Sequence, residues 1–343
     1  MPQPVNAELG QISELFMLLA SIAYVVALLF FVLDLVKSSS TIGALESRLA
    51  GDKAVPARTL AGVGARGAGS TTASAPVAPS TADDSMDYGS GPRRGRARVA
   101  VSLTVLAAVI HGAAVITRGI AAHRVPWGNM YEFCTTGAFL VALIFLVTLT
   151  RKDLRFVGSF VLGLVVIMIC AATVGFPTPV ARLIPALQSY WLIVHVSIAV
   201  ASSALFTITF SMSVLQLLQT SREAKLLAGK ADTARFLRLV PSALSLENLS
   251  YRLNAVAFVG WTFTLMAGAI WAEQAWGRYW GWDTKEVWTF VIWTVYAGYL
   301  HARATRGWTG TRAAWLSIVG YLCIVFNFTI VNVYFAGLHS YAG

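Results

Sequence analysis

Six of the chain's eleven tryptophans fall between positions 271 and 293, and the centre of that stretch reads Trp276-Gly277-Arg278-Tyr279-Trp280-Gly281-Trp282-Asp283-Thr284-Lys285-Glu286-Val287-Trp288. Flat indole faces beside an apolar solvent suit a flat, conjugated, greasy ligand held by stacking. Arg278 or Lys285 offers a positive partner for its acidic substituents. A metalloporphyrin fits that description, and the usual axial donor to its iron is a neutral imidazole. Of five histidines, His195 sits in Trp191-Leu192-Ile193-Val194-His195-Val196 and His339 in Gly337-Leu338-His339-Ser340-Tyr341. Both are expected at the same depth, beside the tryptophan-rich stretch.

Each of these features also has a plain structural explanation. Tryptophans anchor helix ends at a membrane surface, and Asp283 with Glu286 three residues on forms a capping-box start for the following helix. A belt of anchors does not need Gly277 and Gly281 bending the chain between clustered aromatics, so the cluster as a whole points to a ligand. His301 lies about 18 residues after Asp283, a rise of about 27 Å in a helix, which puts it near the opposite face. There it is equally readable as an intramembrane ligand or as a headgroup anchor beside Arg303. His111, inside an apolar helix, reads as a hydrogen-bonding core residue, and His123 as a solvated loop residue. Cys134, Cys170 and Cys323 each stand alone in apolar segments, with no spacing for a disulfide or a metal site.

The elements that must position these groups follow from composition. Of 343 residues, 57% are hydrophobic and only 12% charged, about half the charge of a soluble domain. Apolar runs of about 20 residues cross a hydrocarbon core of about 30 Å as helices. About eight such runs are predicted, at 13–35, 99–117, 131–150, 157–176, 191–218, 253–273, 287–302 and 313–336, giving an all-α polytopic membrane protein. The formal charge of +10 follows topology: 21 of the 26 basic residues fall in four alternate connections. The positive-inside rule then places those connections in the cytoplasm, and both termini and the tryptophan-rich loop outside. A nucleic-acid partner, which needs a basic soluble surface, is excluded by the same distribution. Glu8 and Glu14 precede the first span where a signal peptide would carry positive charge, so that span is expected to stay as an N-terminal transmembrane helix over 1–36.

Residues 37–98 are rich in Ser, Gly, Ala, Pro and Thr and end in Pro92-Arg93-Arg94-Gly95-Arg96-Ala97-Arg98. They are predicted to be a disordered cytoplasmic linker whose basic end fixes orientation, leaving 99–343 as a seven-helix membrane domain with its loop at 271–288. A second inner segment, 219–252, mixes Lys and Arg with Leu and Phe at helical spacing, as in Ala234-Arg235-Phe236-Leu237-Arg238-Leu239, and is predicted to be an interfacial amphipathic helix. No Walker motif, phosphate loop or internal repeat occurs, which argues against an ATP-driven transporter subunit.

The aromatic stretch resembles the WWD domain of haem-handling proteins. Residues 99–343 resemble the CcsA (ResC) family of the type II cytochrome c assembly system, called CcsB in some lineages. Besides the WWD stretch, the resemblance rests on Pro126-Trp127-Gly128-Asn129-Met130-Tyr131-Glu132, Leu187-Gln188-Ser189-Tyr190-Trp191, Tyr299-Leu300-His301 and Gly337-Leu338-His339-Ser340-Tyr341. It implies that His195 and His339 are the outer axial ligands of a transiently bound haem b, and that His301 is an intramembrane ligand whose mate belongs to a ResB/CcsB-type subunit. It further implies that Trp276, Trp280, Trp282 and Asp283 hold haem at the reaction site, with Arg278 and Trp288 completing the haem-binding set. The expected activity is cytochrome c haem lyase, in which haem vinyl groups are joined to the thiols of a Cys-x-x-Cys-His segment of apocytochrome c. A thioredoxin-like protein would keep those thiols reduced. The expected place is the extracytoplasmic side of a bacterial plasma membrane.

Three rival readings make different predictions. A membrane cytochrome b holds haem permanently between facing helices and needs no tryptophan-rich surface loop. A haem chaperone of the type I system shares that loop, with fewer helices or a much longer chain. A scaffolding subunit uses the aromatics only as anchors and purifies without haem absorption.

Overall fold

The computed structural model describes residues 5–53, 86, 94–183 and 187–339, with side chains omitted for 38–53 and 306. Eight long helices run up and down: α1 (Ala7–Lys53), α2 (Gly95–Ala122), α3 (Met130–Leu149), α4 (Gly158–Cys170), α5 (Tyr190–Leu227), α6 (Ala243–Trp276), α7 (Thr284–Arg306) and α8 (Thr311–Phe328). A π turn (Ala171–Gly175) extends α4, and α8 continues after a break at Thr329 into a short α9 (Ile330–Tyr334). No strand occurs among the described residues.

Among the described residues, seven helical segments are long and apolar enough to cross a membrane. The eighth expected span, α7, carries Lys285, Glu286, His301 and Arg303 and falls short in apolarity. It nevertheless traverses the bundle, because its first residue adjoins the last turn of α6 and the loop after its last contacts Glu247 near the start of α6. The expectation of an all-α polytopic membrane protein therefore holds.

Two packed halves make up the bundle. The larger core joins α1 to α4 with one side of α5 around Phe31, Phe145, Leu162 and Ile208. Small residues such as Ala107, Ala114 and Ala142 let these helices approach closely, as membrane helices require where lipid supplies no hydrophobic drive between them. The smaller core joins α5, α6, α7 and α8 around Trp261, Phe206 and Tyr296, with Phe206 stacked on Tyr296 at 3.8 Å.

Several helix ends meet on one end of the bundle. Asn6 N–H donates to the Ala121 carbonyl (3.0 Å), Arg118 donates to Thr178 O (2.7 Å) and Ser189 donates to Gln274 (3.0 Å). Asp283 there meets residues 338 and 339. The described N-terminal and C-terminal residues thus share one end.

Two sequence expectations need correction. The stretch 219–252 does not form an interfacial amphipathic helix. Instead α5 runs on to Leu227, a 3-10 turn covers Arg235–Leu239, and α6 begins at Ala243. The apolar members of that spacing, Leu237 and Leu239, turn inward, and Leu237 joins the larger core beside α1 instead of facing lipid. The first helix also continues past residue 36 to Lys53, and α2 starts at Gly95. The remainder of the expected linker, 54–85 and 87–93, lies outside the described residues.

Candidate functional site

At that end of the bundle, α6 supplies Trp271 and α5 supplies His195 so that their rings stack at 5.9 Å with 16° between planes. His339, arriving from the far end of the chain, meets the same indole edge-on at 5.4 Å and meets Trp276 at 4.8 Å. Trp271, only 2% exposed, is thus the shared wall of both imidazoles.

Each imidazole is held through Nδ1. His195 Nδ1 lies 2.9 Å from the Thr264 carbonyl. A carbonyl only accepts, so Nδ1 carries the proton and Nε2 keeps its lone pair. His339 Nδ1 lies 2.7 Å from Asp283 Oδ2, and the carboxylate fixes the same tautomer. Among the described residues neither Nε2 has a hydrogen-bond partner.

Asp283 owes its place to local chemistry. It is the N-cap of α7 and, with Glu286, completes the expected capping box: Glu286 Oε2 accepts from Asp283 N–H (3.1 Å) and from Gly281 N–H (2.8 Å). The second Asp283 oxygen accepts from Leu338 N–H (3.1 Å). The hydrogen bond from His339 holds the Asp283 carboxyl below the usual carboxylate range, although partial burial pushes the other way. One side chain therefore starts a helix and anchors a histidine 56 residues away.

The two histidines open onto adjoining cavities. One holds about 590 Å³ of open space and is lined by Trp261, Thr264, Gly268, Tyr279, Trp280 and Asn327, among others. The next holds about 660 Å³ and is lined by Trp127, Gly128, Asn129, Phe133, Leu187 and Val196, among others. Both share His195, Ala199, Trp271, Lys285, Phe328 and His339. Both linings are mostly apolar with a few fixed polar groups, the usual character of small-molecule sites. Gly268 sets the depth at His195, because a Cβ there would lie 2.7 Å from the imidazole Cε1.

The expected site residues divide by place. His195, His339, Trp276, Trp280 and Asp283 come together. Trp282 is 77% exposed, its φ of 58° lies in the left-handed region, and its ring touches Trp280 at 5.8 Å outside the cleft lining. Arg278 is exposed and folds over Gly281. Trp288 packs on Phe326 of α8 at 4.3 Å. His301 is exposed near the far end of α7, about 17 residues and about 26 Å from the helix start. His111 is buried between Tyr24 and Phe139, with Nδ1 3.4 Å from the Tyr24 hydroxyl, in line with the core reading.

Sequence reasoning missed several groups. Trp271 was not separated from its neighbours, though it lies on the same helical face as Gly268 one turn earlier. Asn327 and Asn332 were legible only as polar residues in an apolar helix. The Trp127-Gly128-Asn129 segment lines the second cavity because Glu132, fully buried, accepts from Gly128 N–H (2.7 Å) and pairs with Arg118 (3.0 Å) and Arg124 (2.6 Å).

Residues 127–339 match the family described as Cytochrome C assembly protein. The chain is similar to the cytochrome c biogenesis protein CcsA of Prochlorococcus marinus strain MIT 9313, with 35% identity over 266 residues, 71% of this chain and 84% of the relative. The CcsA proteins of Heterosigma akashiwo and Guillardia theta are each 34% identical, covering 63% and 69% of this chain and 76% and 83% of their own length. The matched span begins at the tryptophan of the second cavity and ends at His339, so it contains every residue of the cleft: the chain belongs to the cytochrome c assembly protein family, as a multi-pass membrane member.

Proposed function

We propose that this chain is the haem-presenting subunit of a type II cytochrome c haem lyase, working on the extracytoplasmic side of a bacterial plasma membrane. The observation that carries the reading is the pair of imidazoles, each tied through Nδ1, with both Nε2 atoms left for a ligand in one aromatic cleft. Haem b is the substrate, held between His195 and His339 and packed against Trp271, Trp276 and Trp280. Asp283 acts as a positioning residue through His339. Arg278, Trp282 and Trp288 stand around the cleft as supporting members of the haem-binding loop.

The covalent step is addition of a cysteine S–H across each haem vinyl group. A C–S bond forms at the carbon next to the ring, the hydrogen ends on the outer vinyl carbon, and no leaving group or net oxidation is involved. The step needs reduced thiols, for which a thioredoxin-like protein is the expected supplier, and ferrous iron, whose exposure to oxygen two axial imidazoles limit. The chain supplies position and exclusion of water, and no general base is required. Apocytochrome c presents the Cys-x-x-Cys-His thiols. A ResB/CcsB-type subunit pairs with residues 99–343 and provides the second ligand for haem at His301, whose exposed position on α7 suits a partner.

The test is purification with the partner subunit, followed by reduced spectra of the wild type and of His195→Gly, His339→Gly and His301→Gly, with and without imidazole. The expected outcome is near-complete loss of the outer haem signal and of covalent cytochrome c in the first two variants, restored by imidazole. His301→Gly should spare the outer signal when haem is added from outside. Wild-type spectra from His195→Gly would sink the assignment.

A further inference from the structure

Resting on the reading of this cleft as the haem site, we infer that Lys285 is the residue that takes a haem propionate, and that it thereby sets which edge of the porphyrin faces the incoming thiols. Its ammonium lies inside the shared wall of both main cavities. One N–H donates to Asn332 Oδ1, and the Phe328 ring lies 5.4 Å from Nζ. Asn332 is itself oriented by its amide N–H on Met130 Sδ (2.7 Å), so its oxygen is fixed toward the lysine. An ammonium has three donors, and among the described residues no carboxylate lies within ion-pair distance of this one.

The two nearest carboxylates are committed elsewhere. Asp283 accepts from His339 and Leu338, and Glu286 accepts from the Gly281 and Asp283 backbone. A cation inside a partly apolar cleft, with the Asp283 carboxylate acting on it only from beyond ion-pair distance, is costly, and a bound carboxylate reduces that cost. Arg278, the other basic candidate in the aromatic loop, is exposed, curls over Gly281 and lines neither cavity. In haem the propionates occupy one edge and the vinyl groups lie toward the other. A propionate fixed on the first turn of α7 therefore turns the vinyl edge away from Lys285, and the two axial bonds alone leave that rotation free.

The experiment uses the complex of the full chain with its partner subunit, titrated with haem and with haem dimethyl ester, in which both propionates are neutral. Wild type is expected to bind haem about tenfold or more tightly than the ester, the size of one charge-assisted hydrogen bond. Lys285→Met should bind both ligands within about twofold, while Lys285→Arg retains the preference. The Lys285→Met complex loaded with haem should keep its ferrous bis-imidazole spectrum while covalent yield falls, which a purely structural loss would not produce. Equal binding of haem and ester by the wild type, or a wild-type preference retained by Lys285→Met, overturns the inference and leaves the haem site standing. Failure of the wild type to bind either ligand overturns both.

Discussion

The cleft and the opposite end of the bundle hold the same kinds of side chain under opposite conditions. At the end away from the cleft each carboxylate below has a cation against it: Asp34 with Arg94 (3.4 Å), Asp232 with Arg222 (2.9 Å) and Arg238 (2.7 Å), and Glu247 with Arg303. The hydrogen bond from Arg222 and then that from Arg238 bring the Asp232 carboxyl down to about 2 against the effect of burial. Glu247 also accepts from Gly310 N–H (2.9 Å) and Gln216 (3.3 Å), joining α5, α6 and α7. In the cleft, two imidazole Nε2 atoms and one ammonium face a cavity. Saturated polar groups fix a structure, whereas groups held firmly on one side and open on the other are prepared for a ligand.

This contrast can be broken from either end. Glu247→Ala should have the largest effect on the fold, about 3–5 kcal/mol, because Arg303 loses its only carboxylate among the described residues and keeps just Asn248 and the Tyr251 ring. Thermal unfolding in detergent would measure it, and haem affinity of the surviving folded protein should not change. A matching loss of haem affinity would show that the two ends are not independent.

Asp283→Asn comes next. Asparagine caps a helix about as well as aspartate, so α7 should persist, yet the carboxylate on His339 Nδ1 is lost. Losses of this kind cost about 10–100-fold in metal affinity, so haem content and cytochrome c yield should fall without disappearing. A variant with full yield would contradict the positioning role.

Gly268→Ala should cost about 1–3 kcal/mol at the His195 position, since the new methyl must displace the imidazole. The expected signature is an altered ferrous spectrum with the larger α1–α4 core unperturbed, read by comparing the haem bands with the unfolding midpoint. Trp282→Ala should do least, within about 0.5 kcal/mol on stability, because its ring is mostly in solvent. A large stability change there would mean that the loop is packed more tightly than the exposure of Trp282 allows.

Much of this was legible from residues close in sequence. Apolar runs gave the spans because a membrane helix satisfies its own backbone, and the capping box at Asp283 and Glu286 gave the start of α7 because its bonds join residues three apart. The same local logic fails at 235–239, where the helical spacing of leucines predicts a lipid-facing surface but the turn buries Leu237 and Leu239. Spacing reports which residues share a face and is silent on what covers that face.

From the sequence alone came the membrane class, the order of the spans, the aromatic loop and the pair of candidate histidines, all of which depend on composition or on contacts within a few residues. Only tertiary structure decided that Trp271 forms a wall shared by both imidazoles, that Thr264 and Asp283 fix their tautomers from 69 and 56 residues away, and that Lys285 and not Arg278 enters the cleft. Those outcomes depend on how α5, α6, α7 and the C-terminal segment pack together, and packing across such separations is set by shape and by the need to pair polar groups away from water, which no local pattern encodes.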